Sequence, residues 1–192
     1  EIWAQGNPEI GNLIEFDTIA ISGQSFGAMT TQVMAGQKFP DKTGHLIRLK
    51  ENRFTAGILY SPVPIRHLLP ENITDKEVYG AIDIPLLHMT GTQDDSPIEG
   101  YDYTYRLPVF DQSGCPEKYL LIKEGGDHMV YNGTRGQLED NGLREIHEDF
   151  IQTISLAFWD AYLKHDDKAR KWLTGDDVKS YLGSKAIFKA AP

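Results

Sequence analysis

The sequence predicts an α/β fold: a mostly parallel, open sheet with helices on both faces. Three observations carry that prediction. Short apolar, β-branched runs recur along the chain, each stopped by glycine or proline, as strands buried on both faces are. Helical stretches alternate with these runs, which implies parallel pairing through right-handed crossovers. The 192 residues are 40% hydrophobic and 24% charged, the profile of one globular domain, residues 1–192, with a real core.

Taken in order, residues 18–22 (Thr-Ile-Ala-Ile-Ser) form the first buried run, ending at Gly23. A helix is expected from Phe26 to about residue 37, with Gly36 and Pro40 as its breakers. Residues 54–60 make the second strand, halted by Ser61-Pro62-Val63-Pro64, because proline cannot continue an interior ladder. The third, residues 84–90, enters through Pro85 and leaves through Gly91. The fourth, residues 118–123, runs out at Gly125-Gly126. Residues 143–163 place Ile146, Phe150, Ile151, Ile154, Phe158 and Tyr162 at three- and four-residue spacing, one long amphipathic helix. There is no internal repeat and no low-complexity linker.

Charge and composition exclude several function classes. Nineteen basic against twenty-eight acidic residues leave a net charge of −9, which repels phosphate backbones and anionic lipid, so no nucleic-acid partner is expected. No run of about 18 apolar residues occurs, so no membrane span is expected. The opening Glu1-Ile2-Trp3-Ala4-Gln5 has neither the basic start nor the apolar stretch of a signal peptide, and the compartment stays open. The sequons at Asn72 and Asn132 are short enough to arise by chance. The single Cys115 permits no intrachain disulfide and reads as structural. No His-x-x-x-His or His-x-His pair and no phosphate-cradling glycine loop occurs, so neither metal nor cofactor is expected.

The chemistry-bearing pattern is Gly23-Gln24-Ser25-Phe26-Gly27, set between an expected strand and an expected helix. A nucleophile elbow needs that context: the turn strains the serine, lifts its hydroxyl above the sheet, and asks for glycine on either side where side chains would strike backbone. The bland reading is a glycine-containing turn with an incidental serine. A serine alone is a poor nucleophile, so the catalytic reading requires a base and an acid to orient it. Asp94 stands just past the third strand and is the expected acid, with Asp95 as the alternative one residue on. His128 stands just past the fourth strand and is the expected base. Of the other histidines, His45, His147 and His165 fall on expected loop or helix surfaces, His67 lies in a proline-rich loop and His88 lies within a strand. The order Ser, Asp, His suits an open α/β sheet of this kind. Residues 100–105, with three tyrosines, read equally as a pocket wall beside the acid loop or as a surface turn.

These stretches resemble the α/β-hydrolase superfamily, and are most similar to predicted dienelactone hydrolase and acetylhydrolase-like esterases. The resemblance rests on residues 21–28, 85–97, 124–129 and 155–163, and covers most of the chain from about Asp17 onward. It implies a serine esterase acting on small or short-chain esters through Ser25, His128 and Asp94, with the backbone N–H of Phe26 as one oxyanion donor. A serine peptidase acting on small peptides and a non-catalytic binding or assembly module are the alternatives. Relatives place further strands, and the loop giving the second oxyanion donor, before the elbow; here 24 residues precede Ser25. The expectation is therefore an N-terminally truncated hydrolase, its C-terminal catalytic portion. Its first strand would present an apolar edge for a homo-oligomer or a second chain to cover.

Overall fold

A computed structural model describes residues 2–132 and 142–191. Gly133 and Thr134 of the second sequon lie outside the described residues. Two short helices, α1 (Ile2–Gly6) and α2 (Pro8–Gly11), lead into β1 (Ile19–Gln24) and α3 (Phe26–Met34). A small antiparallel hairpin follows, β2 (Lys38–Pro40) with β3 (Leu46–Arg48), then β4 (Phe54–Tyr60), α4 (Asp75–Tyr79), β5 (Leu86–Gln93), α5 (Leu107–Gln112) and β6 (Lys118–Asp127). The chain closes with α6 (Arg144–Leu163), α7 (Asp167–Thr174), α8 (Asp177–Leu182) and β7 (Ala186–Ala191).

The main sheet has the order β1-β4-β5-β6-β7. Its first four strands are parallel, and β7 joins β6 antiparallel. This is the expected mostly parallel, open α/β architecture. The four expected strands and both expected helices are present, β4 at its expected bounds and the others with shifted ends. β5 starts at Leu86 rather than 84 because Pro85 has no N–H to donate, although its carbonyl still accepts from Gly57 N at 3.0 Å. β6 continues through Gly125-Gly126 to Asp127, where the sequence suggests a stop at 123. α3 ends at Met34, just before Gly36, whose φ of 117° no helix accommodates.

Side chains alternate across each strand and so feed two cores. On one face Ile58, Leu87, Met89 and Leu121 pack against Phe150, Ile154 and Phe158 of α6 and Leu173, Val178 and Leu182 of the two helices after it. On the other, Leu59 and Leu86 meet Ala28 of α3, Val78 and Tyr79 of α4 and Val109 of α5, while Leu120 and Ile122 meet Phe110. Each such side chain, fully buried, contributes about 1.5–3 kcal/mol. The frame holds the carboxyl ends of β1, β4, β5 and β6 side by side, the edge where open sheets carry their sites. Among the described residues β1 pairs only with β4 and is half-exposed along its length. No described helix is long and apolar enough to cross a membrane.

Candidate active site

Ser25 is the first residue past β1. Its N–H donates to Tyr60 O at 2.9 Å, holding it to the end of β4, and its carbonyl accepts from Met29 N at 3.0 Å in the first turn of α3. Between those anchors the backbone is forced to φ 56°, ψ −117°, a conformation costing a non-glycine residue about 1–3 kcal/mol. The surrounding glycines behave differently from one another. A Cβ on Gly23 would lie 2.2 Å from the Gly27 carbonyl, whereas one on Gly27 meets nothing within 4 Å. The expectation that both glycines are sterically required is corrected: the turn needs Gly23 alone. The N–H groups of Phe26, Gly27 and Ala28 precede the first intrahelical bond, so the positive end of the helix adjoins the serine.

Asp94 follows β5 directly and is wholly buried. Its Oδ2 accepts from the Thr90 hydroxyl at 2.8 Å, and its backbone N–H closes a tight turn onto Gly91 O at 2.9 Å. Its Oδ1 lies 2.7 Å from His128 Nδ1 and 3.2 Å from Arg106 Nη2. Asp95, the alternative acid, is exposed.

His128 follows β6 directly and is nine-tenths buried. A carboxylate only accepts, so the 2.7 Å contact assigns a proton to Nδ1; in the neutral ring Nε2 is then the acceptor, the tautomer a general base requires. Acid and base meet because β5 and β6 slip past each other: Gly91 pairs with Lys123 but Gln93 pairs with Asp127. That irregularity uses close backbone contact, since a Cβ on Gly91 would stand 2.3 Å from Gly126 O. Gln24, inside the elbow, ties the two halves of the site together by donating Nε2 to His128 O at 3.1 Å.

Ser25 and His128 line one cavity of about 230 Å³, with apolar walls from Met29, Val63, Ile65 and Leu68. A second cavity of about 650 Å³ shares His67, Glu99 and Tyr101 with it. Residues 100, 101, 102 and 105 line that second cavity, and the same segment is a largely exposed turn in which the Tyr101 and Tyr105 rings stack with centroids 5.7 Å apart, so it answers to both descriptions.

Sequence reasoning missed Gln24 and Arg106, whose partners lie 104 and 12 residues away, and Thr90, which reads as an ordinary β-branched strand residue although its hydroxyl reaches Asp94 four residues on. It also placed His147 on a surface, whereas α6 buries it with Nε2 2.9 Å from Glu124 O; the helix stripe that packs on the sheet is wider than the apolar spacing alone implies. Burial pushes the Cys115 thiol up to about 11, so it stays protonated, in keeping with a structural residue. Among the described residues no cluster of three or more His, Cys, Asp or Glu side chains could hold a metal ion.

Comparison of the sequence with family models and with curated proteins gives no match. Among solved structures, the chain is similar to a thermophilic esterase from the planctomycete Thermogutta terrifontis, determined with butyrate bound. The two are 19% identical with a TM-score of 0.38, over 79% of this chain and 61% of that one. The match thus spans less than two thirds of that esterase's own length, and at this similarity it carries no weight for activity or substrate.

Proposed function

We propose that this chain is a serine carboxylic-ester hydrolase acting on small or short-chain esters. The observation that carries the reading is the conjunction at one cavity of a backbone-strained Ser25 with His128, whose Nδ1 is 2.7 Å from a buried Asp94. Strained non-glycine backbone clusters at functional sites, although Ser61 and His165 also have positive φ here. The strain at residue 25 falls on a serine at a helix N-terminus that lines the same cavity as His128.

In the proposed reaction His128 Nε2 takes the hydroxyl proton as Ser25 Oγ bonds to the ester carbonyl carbon. The oxyanion so formed faces the Phe26 N–H at the positive end of α3. Collapse breaks the bond to the alcohol oxygen, which leaves with the proton from Nε2. Water, deprotonated by the same nitrogen, then releases the acid and regenerates Ser25. Asp94 holds the ring in one tautomer and stabilises the transient imidazolium. The small apolar cavity beside Ser25 suits short acyl chains.

Burst and steady-state hydrolysis of p-nitrophenyl acetate, with Ser25→Ala alongside, tests this reading. The expected result is a burst stoichiometric with protein and a loss on the order of ten-thousandfold or more in the variant. Equal rates for the two proteins would overturn the reading. Running the corresponding p-nitroanilide in parallel separates an esterase from a peptidase.

A further inference from the structure

Arg106 closes the 3-10 turn Tyr103–Arg106 and is 2% exposed. Its Nε donates to Asp94 O at 2.9 Å and its Nη1 to Pro62 O at 2.9 Å, while Nη2 lies 3.2 Å from Asp94 Oδ1 and 3.4 Å from His128 Nδ1. The guanidinium carbon sits 5.3 Å from the centre of the Tyr101 ring. Arg106 lines the cavity with Ser25, yet every one of its nitrogens is engaged by the protein, so it is not presented as a handle for a substrate carboxylate.

Two consequences follow from that placement. The fork ties the loop after β4 to the loop after β5, fixing where Asp94 stands. It also puts a permanent positive charge beside the oxygen that His128 uses. In an isolated Asp–His pair the carboxylate favours the imidazolium, and the ring stays protonated, useless as a base, to a higher pH. A cation sharing the same oxygen offsets that pull, and at this depth salt screens it little.

We infer that Arg106 is a positioning residue that also sets the working pH range of the site, keeping His128 unprotonated at lower pH than the Asp94–His128 pair alone would allow. This rests on the reading of His128 as the general base. Other charged or titratable groups around the ring are Glu99, His67 and Tyr101 across the cavity, and Asp127, Tyr131 and Lys123 on and beside its own strand. The Oδ1 of Asp127 is turned away, accepting from Met129 N and Val130 N at 2.9 and 3.1 Å. Among the described residues, Arg106 is the cation seen in contact with both Asp94 and His128.

The experiment pairs pH profiles of kcat/KM for p-nitrophenyl acetate with the NMR titration of the His128 ring, in wild type, Arg106→Gln, Arg106→Lys and Asp94→Asn. In Arg106→Gln the acid limb and the ring titration should both move to higher pH. In Arg106→Lys the limb should stay near its wild-type position while kcat falls, because charge is kept and the fork is lost. In Asp94→Asn, where Arg106 faces the ring without the carboxylate, His128 should titrate below a free histidine. That last arm needs no Arg106 variant to fold. Unmoved profiles in a folded Arg106→Gln, or a ring in Asp94→Asn that titrates at or above a free histidine, would overturn the inference. Ring titrations that move as expected in a protein with no ester hydrolysis would instead sink the hydrolase reading and leave the effect of Arg106 standing.

Discussion

At Asp94 the two carboxylate oxygens have separate partners: Oδ2 is held by Thr90, and Oδ1 faces His128 and Arg106. Replacing Asp94 by Asn keeps the shape but gives Nδ1 a weaker or misdirected partner, so the ring loses its fixed tautomer. We expect Asp94→Asn to lower kcat/KM for p-nitrophenyl acetate on the order of ten-thousandfold. Asp95→Asn, at an exposed position, should change it by less than about threefold. The reverse pattern would move the acid one residue along. The placement of Ser25, Asp94 and His128, each immediately past a strand, was legible in the sequence, because chain order and strand ends locate them without any knowledge of side-chain contacts. Arg106 was not legible: it sits in a tyrosine-rich turn whose local pattern says nothing of Asp94, twelve residues upstream. Gln24 was hidden for the same reason, since its partner lies 104 residues away.

The elements that matter most to the site are the turns where backbones touch. Because a Cβ on Gly23 would lie 2.2 Å from the Gly27 carbonyl, Gly23→Ala must push β1 and α3 apart at the serine. It should destabilise the fold by roughly 2 kcal/mol or more and remove activity with it. Gly27→Ala meets open space inside a helix, where alanine is favoured over glycine by up to about 1 kcal/mol. It should therefore fold at least as well as wild type and leave ester hydrolysis standing. Urea midpoints and p-nitrophenyl acetate rates for the two variants test this, and equal damage from both would show that the second glycine is needed for something other than space. Long elements were readable from sequence, because six apolar positions along α6 and unbroken β-branched runs leave few alternatives. The short ones were not. The hairpin of β2 and β3 has three residues per strand, α4 and α5 have five and six, and β7 carries exposed residues on one side. Their order comes from packing against the sheet, which periodicity over so few residues does not encode.

For the molecule as a whole, the sheet buries a titratable group that neither core can shed. His88 lies on β5, fully buried, with Nδ1–H donating to Tyr119 O at 3.1 Å and its ring edge-on to Phe110 at 5.4 Å. Its Nε2 has no hydrogen-bond partner among the described residues. Loss of water around the ring, chiefly, holds its pKa down to about 3, and the nearby Lys118 charge adds to the effect. A free histidine protonates near 6.5, so as pH falls the unfolded chain takes up a proton that the folded chain refuses. Stability rises with pH wherever the unfolded state binds more protons. The contribution of His88 is therefore complete above about pH 6.5, falls by about 1.4 kcal/mol per pH unit below it, and levels off near pH 3. Between pH 7 and pH 5 the wild type should lose roughly 2 kcal/mol on this account. His88→Leu, which fills the same space with no ionisable group, should not. The measurement is the difference in urea-unfolding free energy between the two proteins across that range. Parallel pH dependences would mean that the buried ring accepts a proton within the folded sheet, and that acid sensitivity of the fold arises from groups elsewhere.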